Sequence, residues 1–149
     1  MKKPVAILSS ILLAGSIAMT GAIPAMANDN ARNNHTNRNF SFSFAADGTD
    51  YAIAPREKQD SSKAYVKNKA SGSSIDVDVF VCGTANVNKY SGIDPNRCSS
   101  RYSVKAGNYQ YMSNTVYGKY KYAYLTFGSH INKWSTVSGW WSPDNVGGL

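Results

Sequence analysis

Hydrophobic and polar residues alternate with a period of two along several short segments of the chain. Residues 40–44 alternate phenylalanine with serine, and residues 75–81 alternate branched apolar residues with Asp76 and Asp78. In an extended strand, successive side chains point to opposite faces. Each of these segments is therefore predicted to be a β-strand that buries one face.

Five further segments show the same pattern, namely residues 63–67, 102–106, 109–111, 119–127 and 134–138. Two of them flank Gly107-Asn108, which is typical of a two-residue hairpin turn. In the longest segment, KYKYAYLTF, the tyrosines share one face, while the lysines and apolar residues share the other. About seven short strands predict two packed antiparallel sheets, with a barrel as the second possible architecture.

The composition argues against a helical fold. After residue 27 the chain holds one glutamate, two leucines and one methionine, but ten tyrosines, five phenylalanines and three tryptophans. Good helix formers are therefore scarce, and residues that favour strands are abundant. The sequence predicts an all-β chain that forms a small antiparallel β-sandwich.

The first 27 residues have the pattern of a secretory signal peptide. Lys2 and Lys3 precede an apolar run over residues 5–19, and Ala25 and Ala27 supply the small residues of a cleavage site. A membrane anchor is the alternative, but polar and small residues interrupt the run, and a spanning helix needs about 20 apolar residues. We therefore expect cleavage after Ala27 and a secreted protein, either extracellular or associated with the cell wall.

The remainder divides into an arm and one domain. Residues 28–39 are half asparagine and contain no apolar run, which predicts a disordered arm. Residues 40–149 then form a single predicted β-sandwich domain, since the exported part is long enough for one core and short for two.

The charge points to anionic partners. Cleavage would remove Lys2 and Lys3, and the formal net charge would fall from +7 to +5. A basic excess favours contact with anionic cell-wall polymers, cell-wall precursors or a membrane surface. We do not expect nucleic acid as a partner.

Cys82 and Cys98 both lie in the part that is predicted to be exported. Export favours a disulfide, and a bridge closing a loop of this length would contribute about 3 kcal/mol. The alternative is a catalytic thiol, which needs a base, but His35 and His130 are the only histidines and no pattern pairs them with a cysteine. We therefore predict a structural disulfide between Cys82 and Cys98.

The sequence offers little for catalysis. Asp76 and Asp78 would project from one face of a strand about 7 Å apart, a separation conceivable for a glycosidase pair. Such pairs usually come from different elements, with one carboxyl buried to raise its pKa. Nucleophile-elbow, metal-binding and phosphate-binding motifs are missing. We predict a protein that is not an enzyme and uses no metal or cofactor, with a carboxylate-dependent carbohydrate hydrolase as the alternative.

A binding role is the stronger expectation. The segment from residue 117 to 124 interleaves rings and cations, and if its tyrosine face is exposed it could stack on sugars or lie at a lipid interface. The alternative is that these tyrosines fill the sandwich with their hydroxyls at its rim. The predicted binding surface comprises Tyr117, Lys119, Tyr120, Lys121, Tyr122, Tyr124 and Trp140.

Three segments resemble the pattern of a family of small exported Gram-positive proteins of unknown function. They read R-x-K-x-D-S-S-x-x-Y over residues 56–65, N-x-V-x-x-x-x-x-x-A-x-L over residues 114–125 and G-x-W-S-P-D over residues 139–144. The chain departs from the family in having Asn145 where serine is usual. More distantly, it is similar to the lactococcin-type secreted β-sandwich bacteriocins. The resemblance implies secretion and a β-sandwich, but no established activity.

The last motif distinguishes two adjacent tryptophans. Because neighbouring side chains of an extended segment point to opposite faces, Trp140 and Trp141 cannot enter the same core. The family pattern fixes the tryptophan before Ser142, Pro143 and Asp144, which implies that Trp141 closes the core and that Trp140 lies at the surface. We expect a non-catalytic protein that binds at the cell envelope or has a bacteriocin-like antimicrobial role.

Overall fold

The structure is a computed structural model that describes residues 34–45, 50–70, 75–91, 96–129, 131 and 133–145. Within these residues the chain forms nine β-strands and no helix. The strands are β1 (Arg38–Phe44), β2 (Tyr51–Ala52), β3 (Arg56–Glu57), β4 (Ala64–Asn68), β5 (Val77–Thr84), β6 (Tyr102–Val104), β7 (Tyr109–Met112), β8 (Tyr122–Ser129) and β9 (Ser135–Ser142). The prediction of an all-β chain is confirmed, and the two-residue strands β2 and β3 add to the seven predicted strands.

The strands form two antiparallel sheets. The four-stranded sheet has the order β1-β9-β4-β7, and the five-stranded sheet has the order β2-β8-β5-β6, with β3 also pairing with β8. This arrangement is the predicted β-sandwich. Among the described residues, no helix is long and apolar enough to span a membrane.

Apolar side chains from both sheets form one core. Phe42, Val66 and Trp141 enter it from the four-stranded sheet, while Val79 and Phe127 enter it from the five-stranded sheet, and all five are buried. The ring centres of Phe42 and Phe127 lie 5.0 Å apart, so the two sheets are in direct contact. Burial of each side chain of this size contributes about 2 kcal/mol to stability. The buried residues lie on the faces that the alternation in the sequence predicts.

The turn at Gly107-Asn108 is not the predicted hairpin. The N–H of Asn108 donates to the carbonyl oxygen of Lys105 at 3.0 Å, and Gly107 has a φ of 85°, a conformation that favours glycine. However, β6 before the turn pairs with β5, whereas β7 after it pairs with β4 in the other sheet. The turn signal is therefore genuine, but it marks a corner between the sheets.

The described part of the predicted arm belongs to the fold. β1 begins at Arg38, which pairs with Trp141, and a side-chain nitrogen of Arg56 donates to the carbonyl oxygen of Thr36 at 2.6 Å. The strand therefore extends beyond the predicted boundary near Phe40, because polar residues also pair through their backbone. Residues 28–33 lie outside the described residues, as do the predicted signal peptide and its cleavage site.

Cys82 and Cys98 are not joined by a disulfide, so this prediction is wrong. Cys82 pairs with Arg97 in an antiparallel bridge, and the next residue, Cys98, therefore faces the opposite side of the sheet. Cys98 packs in the core, whereas the thiol of Cys82 lies 3.7 Å from the hydroxyl of Thr126 on the outer face. The spacing of cysteines in a sequence does not reveal which face each one occupies.

Candidate functional site on the four-stranded sheet

The outer face of the four-stranded sheet carries four aromatic side chains, which we call the aromatic surface. Tyr65 comes from β4, Tyr109 and Tyr111 come from β7, and Trp140 comes from β9. Side chains alternate along a strand, so the residues between them, such as Val66, face the core. Tyr109 is 57% exposed, and the other three side chains are half-buried.

The three tyrosines form one cluster of rings. The ring centres of Tyr65 and Tyr111 are 5.3 Å apart, and those of Tyr65 and Tyr109 are 6.0 Å apart. Tyr109 and Tyr111 meet edge to face at 5.6 Å. These separations lie in the range that aromatic pairs prefer. The rings therefore support one another, and a ligand would meet a surface that is already formed.

Lys67 places a cation among these rings. Its ammonium nitrogen lies 5.8 Å from the ring centre of Tyr109 and donates a hydrogen bond to the carbonyl oxygen of Gly107. Lys67 is the register partner of Trp140, and a Cβ atom at the adjacent Gly139 would overlap the carbonyl oxygen of Lys67. Glycine at position 139 therefore allows the backbones that carry Lys67 and Trp140 to approach closely.

Tyr65 and Trp140 are linked by a side-chain hydrogen bond. Burial raises the pKa of Tyr65, the hydrogen bond from Trp140 opposes this shift, and Tyr111 and Tyr109 add to it. The indole N–H is only a donor, so the hydroxyl of Tyr65 is the acceptor. Because Tyr65 remains a neutral phenol at ordinary pH, its hydroxyl hydrogen is available to an acceptor on a ligand.

The site extends across the whole sheet. Asn39 pairs with Trp140, Trp140 pairs with Lys67, and Lys67 pairs with Tyr109, which places these four residues in one row over four strands. At the usual spacing of strands the row is about 14 Å long. It alternates ring, cation, ring and amide, and this chemistry suits an elongated polar ligand with apolar faces.

The predicted surface between residues 117 and 124 does not form one exposed face. Tyr117, which is 54% exposed, and Lys119 lie in a turn that precedes β8. Lys121 is exposed, with its ammonium 5.4 Å from the ring centre of Tyr122. The first half of the segment is a turn, so its side chains do not follow the alternation of a strand.

Tyr120 and Tyr124 are drawn away from solvent. Tyr120 packs against the core, and its hydroxyl donates to Asn96 at 3.1 Å. Tyr124 is completely buried on the outer face of the five-stranded sheet, with its ring centre 6.0 Å from that of Tyr90. Its hydroxyl has no hydrogen-bond partner among the described residues. Of the predicted surface, only Trp140 therefore belongs to the aromatic surface.

An ion pair between Lys58 and Asp144 joins the R-x-K-x-D-S-S-x-x-Y motif to the G-x-W-S-P-D motif. The ammonium of Lys58 lies 2.6 Å from Oδ1 of Asp144, and both side chains are fully buried. Lys58 also donates to the carbonyl oxygens of Ser62 at 2.5 Å and Pro143 at 2.8 Å, which accounts for all three ammonium hydrogens. Burial lowers the pKa of Lys58, whereas the hydrogen bond and charge of Asp144 oppose this shift.

Asp144 also anchors the start of the described chain. Its Oδ2 accepts hydrogen bonds from the backbone N–H of Asn34 at 3.1 Å and of Gln59 at 2.9 Å. Arg56 donates to the side-chain oxygen of Asn34 at 2.6 Å and to the carbonyl oxygen of Trp141 at 3.1 Å. The charged groups of Arg56, Lys58 and Asp144 thus form hydrogen bonds and an ion pair within the protein. The motifs over residues 56–65 and 139–144 therefore have a structural role.

Asp76 and Asp78 contact groups next to or within β6. Oδ1 of Asp76 accepts from the backbone N–H of Ala106 at 2.9 Å, and Oδ1 of Asp78 accepts from the hydroxyl of Ser103 at 2.5 Å. Arg101 lies 3.6 Å from the other oxygen of Asp78. Both carboxylates thus hold neighbouring segments together. In the described part of the chain, no group of three or more potential ligands could hold a metal ion.

The sequence pattern placed Tyr65, Tyr109 and Tyr111 in strands but did not identify them as site residues. Part of the signal is visible in the sequence, because Tyr65 lies between Ala64 and Val66 and so must face away from them. The order of the strands is not visible. Only the pairing of β4 with β7 shows that Tyr65 and Tyr111 are neighbours.

A family model described as "Protein of unknown function (DUF2712)" matches residues 23–145 of the chain. No curated protein and no solved structure matches the chain.

Proposed function

The chain belongs to this family of unknown function, and for this member we propose non-catalytic binding of a polysaccharide of the cell envelope. The observation that carries the proposal is the aromatic surface, in which three tyrosine rings lie within 6.0 Å of one another on an open sheet face. Tyr109 is 57% exposed, and Tyr65 and Tyr111 are half-buried; contiguous apolar surface that remains accessible in this way commonly marks an interaction site.

Sugars fit this surface better than an aliphatic ligand does. Tyrosine and tryptophan present an apolar ring face together with a polar edge, and a sugar ring likewise has an apolar face and polar edges. The hydroxyls of the tyrosines and the amide of Asn39 add hydrogen-bonding groups on the same sheet face. A polysaccharide would therefore gain both stacking and hydrogen bonds.

The proposal includes an extracellular location. It is supported by the signal-peptide pattern that ends at Ala27 and by the basic excess of the chain. Cell-wall polymers are the polysaccharides that an exported protein meets first, and many are anionic.

Binding to purified cell walls tests this function. Tyr109→Ala and Trp140→Ala should each weaken retention about tenfold, since loss of a central aromatic contact often costs more than 1 kcal/mol. Tyr117→Ala is the matched control, because Tyr117 is 54% exposed and Tyr109 is 57% exposed, but Tyr117 lies in the turn before β8. If thermal melts show that all three variants are folded, equal retention of the three on cell walls would refute the proposal.

We propose, as a second function, an antimicrobial role in which the same surface binds cell-wall precursors; this proposal rests only on the resemblance of the sequence to lactococcin-type bacteriocins. Purified protein should then inhibit the growth of related strains, and Trp140→Ala should not.

The hydrolase alternative makes a different prediction. Only in that case should the Asp76→Asn, Asp78→Asn double variant lose an activity that releases sugars from cell walls.

A further inference from the structure

Two cavities adjoin β1, and Asn39 and Phe40 line both of them. The first, which we call the Trp140 cavity, has a volume of about 260 Å³ and is also lined by Lys69, Ser138 and Trp140. It continues the aromatic surface beyond Trp140 towards β1. A ring and a cation thus stand together at the end of that surface.

The second cavity, which we call the edge cleft, lies between β1 and the chain around β2. Its volume is about 330 Å³, and Arg38, Tyr51 and Tyr90 contribute to its lining. All three side chains are exposed. Tyr51 is held in place by stacking on Phe42, with ring centres 4.1 Å apart and an interplanar angle of 6°. The edge cleft therefore also combines fixed rings with a cation.

The electrostatic surroundings of the edge cleft favour an anion. Arg38 forms no ion pair with a carboxylate of the described residues. Burial lowers the pKa of Arg56, and the positive charge of Arg38 lowers it further, while Asp144 opposes the shift. Arg38 therefore places a positive charge at the lining of the edge cleft, and this charge would attract an anionic ligand.

We propose that the Trp140 cavity and the edge cleft bind successive parts of one anionic polysaccharide that crosses β1. The inference rests on the proposed function and specifies the class of its ligand. Both cavities offer aromatic rings beside a cation, which matches a sugar polymer that carries a carboxylate or phosphate on its repeats. They share Asn39 and Phe40, so a continuous chain reaches both.

A chain that occupies two sites gains affinity from its length. Once one repeat is bound, the next binds as an intramolecular event with a high effective concentration. Polygalacturonate should therefore bind about a hundredfold more tightly than digalacturonate. A phosphomannan tests phosphate in place of carboxylate, and dextran serves as the uncharged polymer.

The variants Arg38→Gln and Lys69→Gln should each weaken the binding of both anionic polymers about threefold to fivefold. They should leave the binding of dextran unchanged. Lys119→Gln is the matched control, since it removes the same charge from an exposed turn outside both cavities. An equal loss of affinity in this control would overturn the inference, because the net charge of the protein would then account for binding. Equal affinity for polygalacturonate and digalacturonate would also overturn it.

Failure of the inference and failure of the proposed function give different results. If Tyr109→Ala weakens binding of every polymer while Arg38→Gln and Lys69→Gln change nothing, the aromatic surface binds sugars but the two cavities do not select anions. If Tyr109→Ala and Trp140→Ala bind every polymer as the unmodified protein does, the proposed function itself is overturned.

Discussion

The ammonium of Lys58 and the carboxylate of Asp144 lie 2.6 Å apart, although their positions in the chain differ by 86. Neither side chain is accessible to solvent. In such a pair each charge depends on the other, because water does not solvate either one. The contact therefore fixes the end of β9 to the segment that follows β3.

Asp144→Asn should destabilise the protein by about 3–5 kcal/mol, because it leaves the ammonium of Lys58 buried without its counter-charge. Denaturant unfolding measures the loss. Asp78→Asn is the control, since the ion pair of Asp78 with Arg101 is longer, at 3.6 Å, and its Arg101 side chain is 67% exposed, so the change should cost about 1 kcal/mol. Similar losses in the two variants would show that the Lys58–Asp144 contact is not a principal source of stability.

The two adjacent tryptophans should differ in their contribution to stability. Trp141 is 1% exposed in the core, and Trp141→Ala should cost about 3–5 kcal/mol as a large-to-small core change. Trp140 lies on the outer face, and Trp140→Ala should cost about 1 kcal/mol. Urea melts of both variants check the order, and the reverse order would contradict the assignment of faces in β9.

Tyr124→Phe should not destabilise the protein. Its hydroxyl is buried without a hydrogen-bond partner among the described residues, so its removal should stabilise the fold by about 1 kcal/mol. Tyr120→Phe provides the contrast, because it removes the hydrogen bond to Asn96 and should cost about 0.5–1 kcal/mol. A clear loss in Tyr124→Phe would reveal a partner for this hydroxyl.

Thiol titration should find two thiols in the denatured, unreduced protein. Cys82 and Cys98 lie on opposite faces of the five-stranded sheet and form no disulfide, and joining them would require one residue to turn over and disrupt the pairing with β5. Mass spectrometry after alkylation distinguishes the outcomes. A protein with no titratable thiol would contradict this arrangement of β5 and residues 96–98.

The raised pKa of Tyr65 predicts a dependence of stability on alkaline pH. The unfolded chain loses the Tyr65 proton near its ordinary pKa of about 10, before the folded protein does. The contribution of this group is therefore complete below that pH and is lost as the pH rises through the higher folded pKa. The difference in unfolding free energy between the unmodified protein and Tyr65→Phe should fall over this range, whereas a constant difference would argue against the shift.

The sequence predicts which face of a strand is buried better than it predicts which strands pair with one another. Alternation placed Phe42 and Val79 on buried faces, because burial of one face follows directly from a period of two, whereas the choice of Trp141 over Trp140 came from the family resemblance. It could not show that the strands on either side of Gly107 belong to different sheets. The turn residues are the same for a hairpin and for a corner, and only packing decides between them.

The same limit explains the outcome at the site. The segment from residue 117 to 124 has the strongest pattern of rings and cations, yet the protein buries Tyr124 and turns the chain at Lys119. The aromatic surface arises instead from the register of β4 with β7 and β9. β2 and β3 have only two residues each, which is too short for alternation to appear.

The pairing of β1 with β9 has a consequence for the order of folding. The first described strand has its backbone partner in the last, with Phe42 opposite Val137, and β9 in turn separates β1 from β4. While the chain is being synthesised, β1 therefore has no backbone partner in its sheet until β9 has been made. Contacts so distant in sequence form slowly, and a chain that lacks β9 would leave β1 and one edge of β4 without their backbone partner. The four-stranded sheet should thus form completely only after β9 has been synthesised.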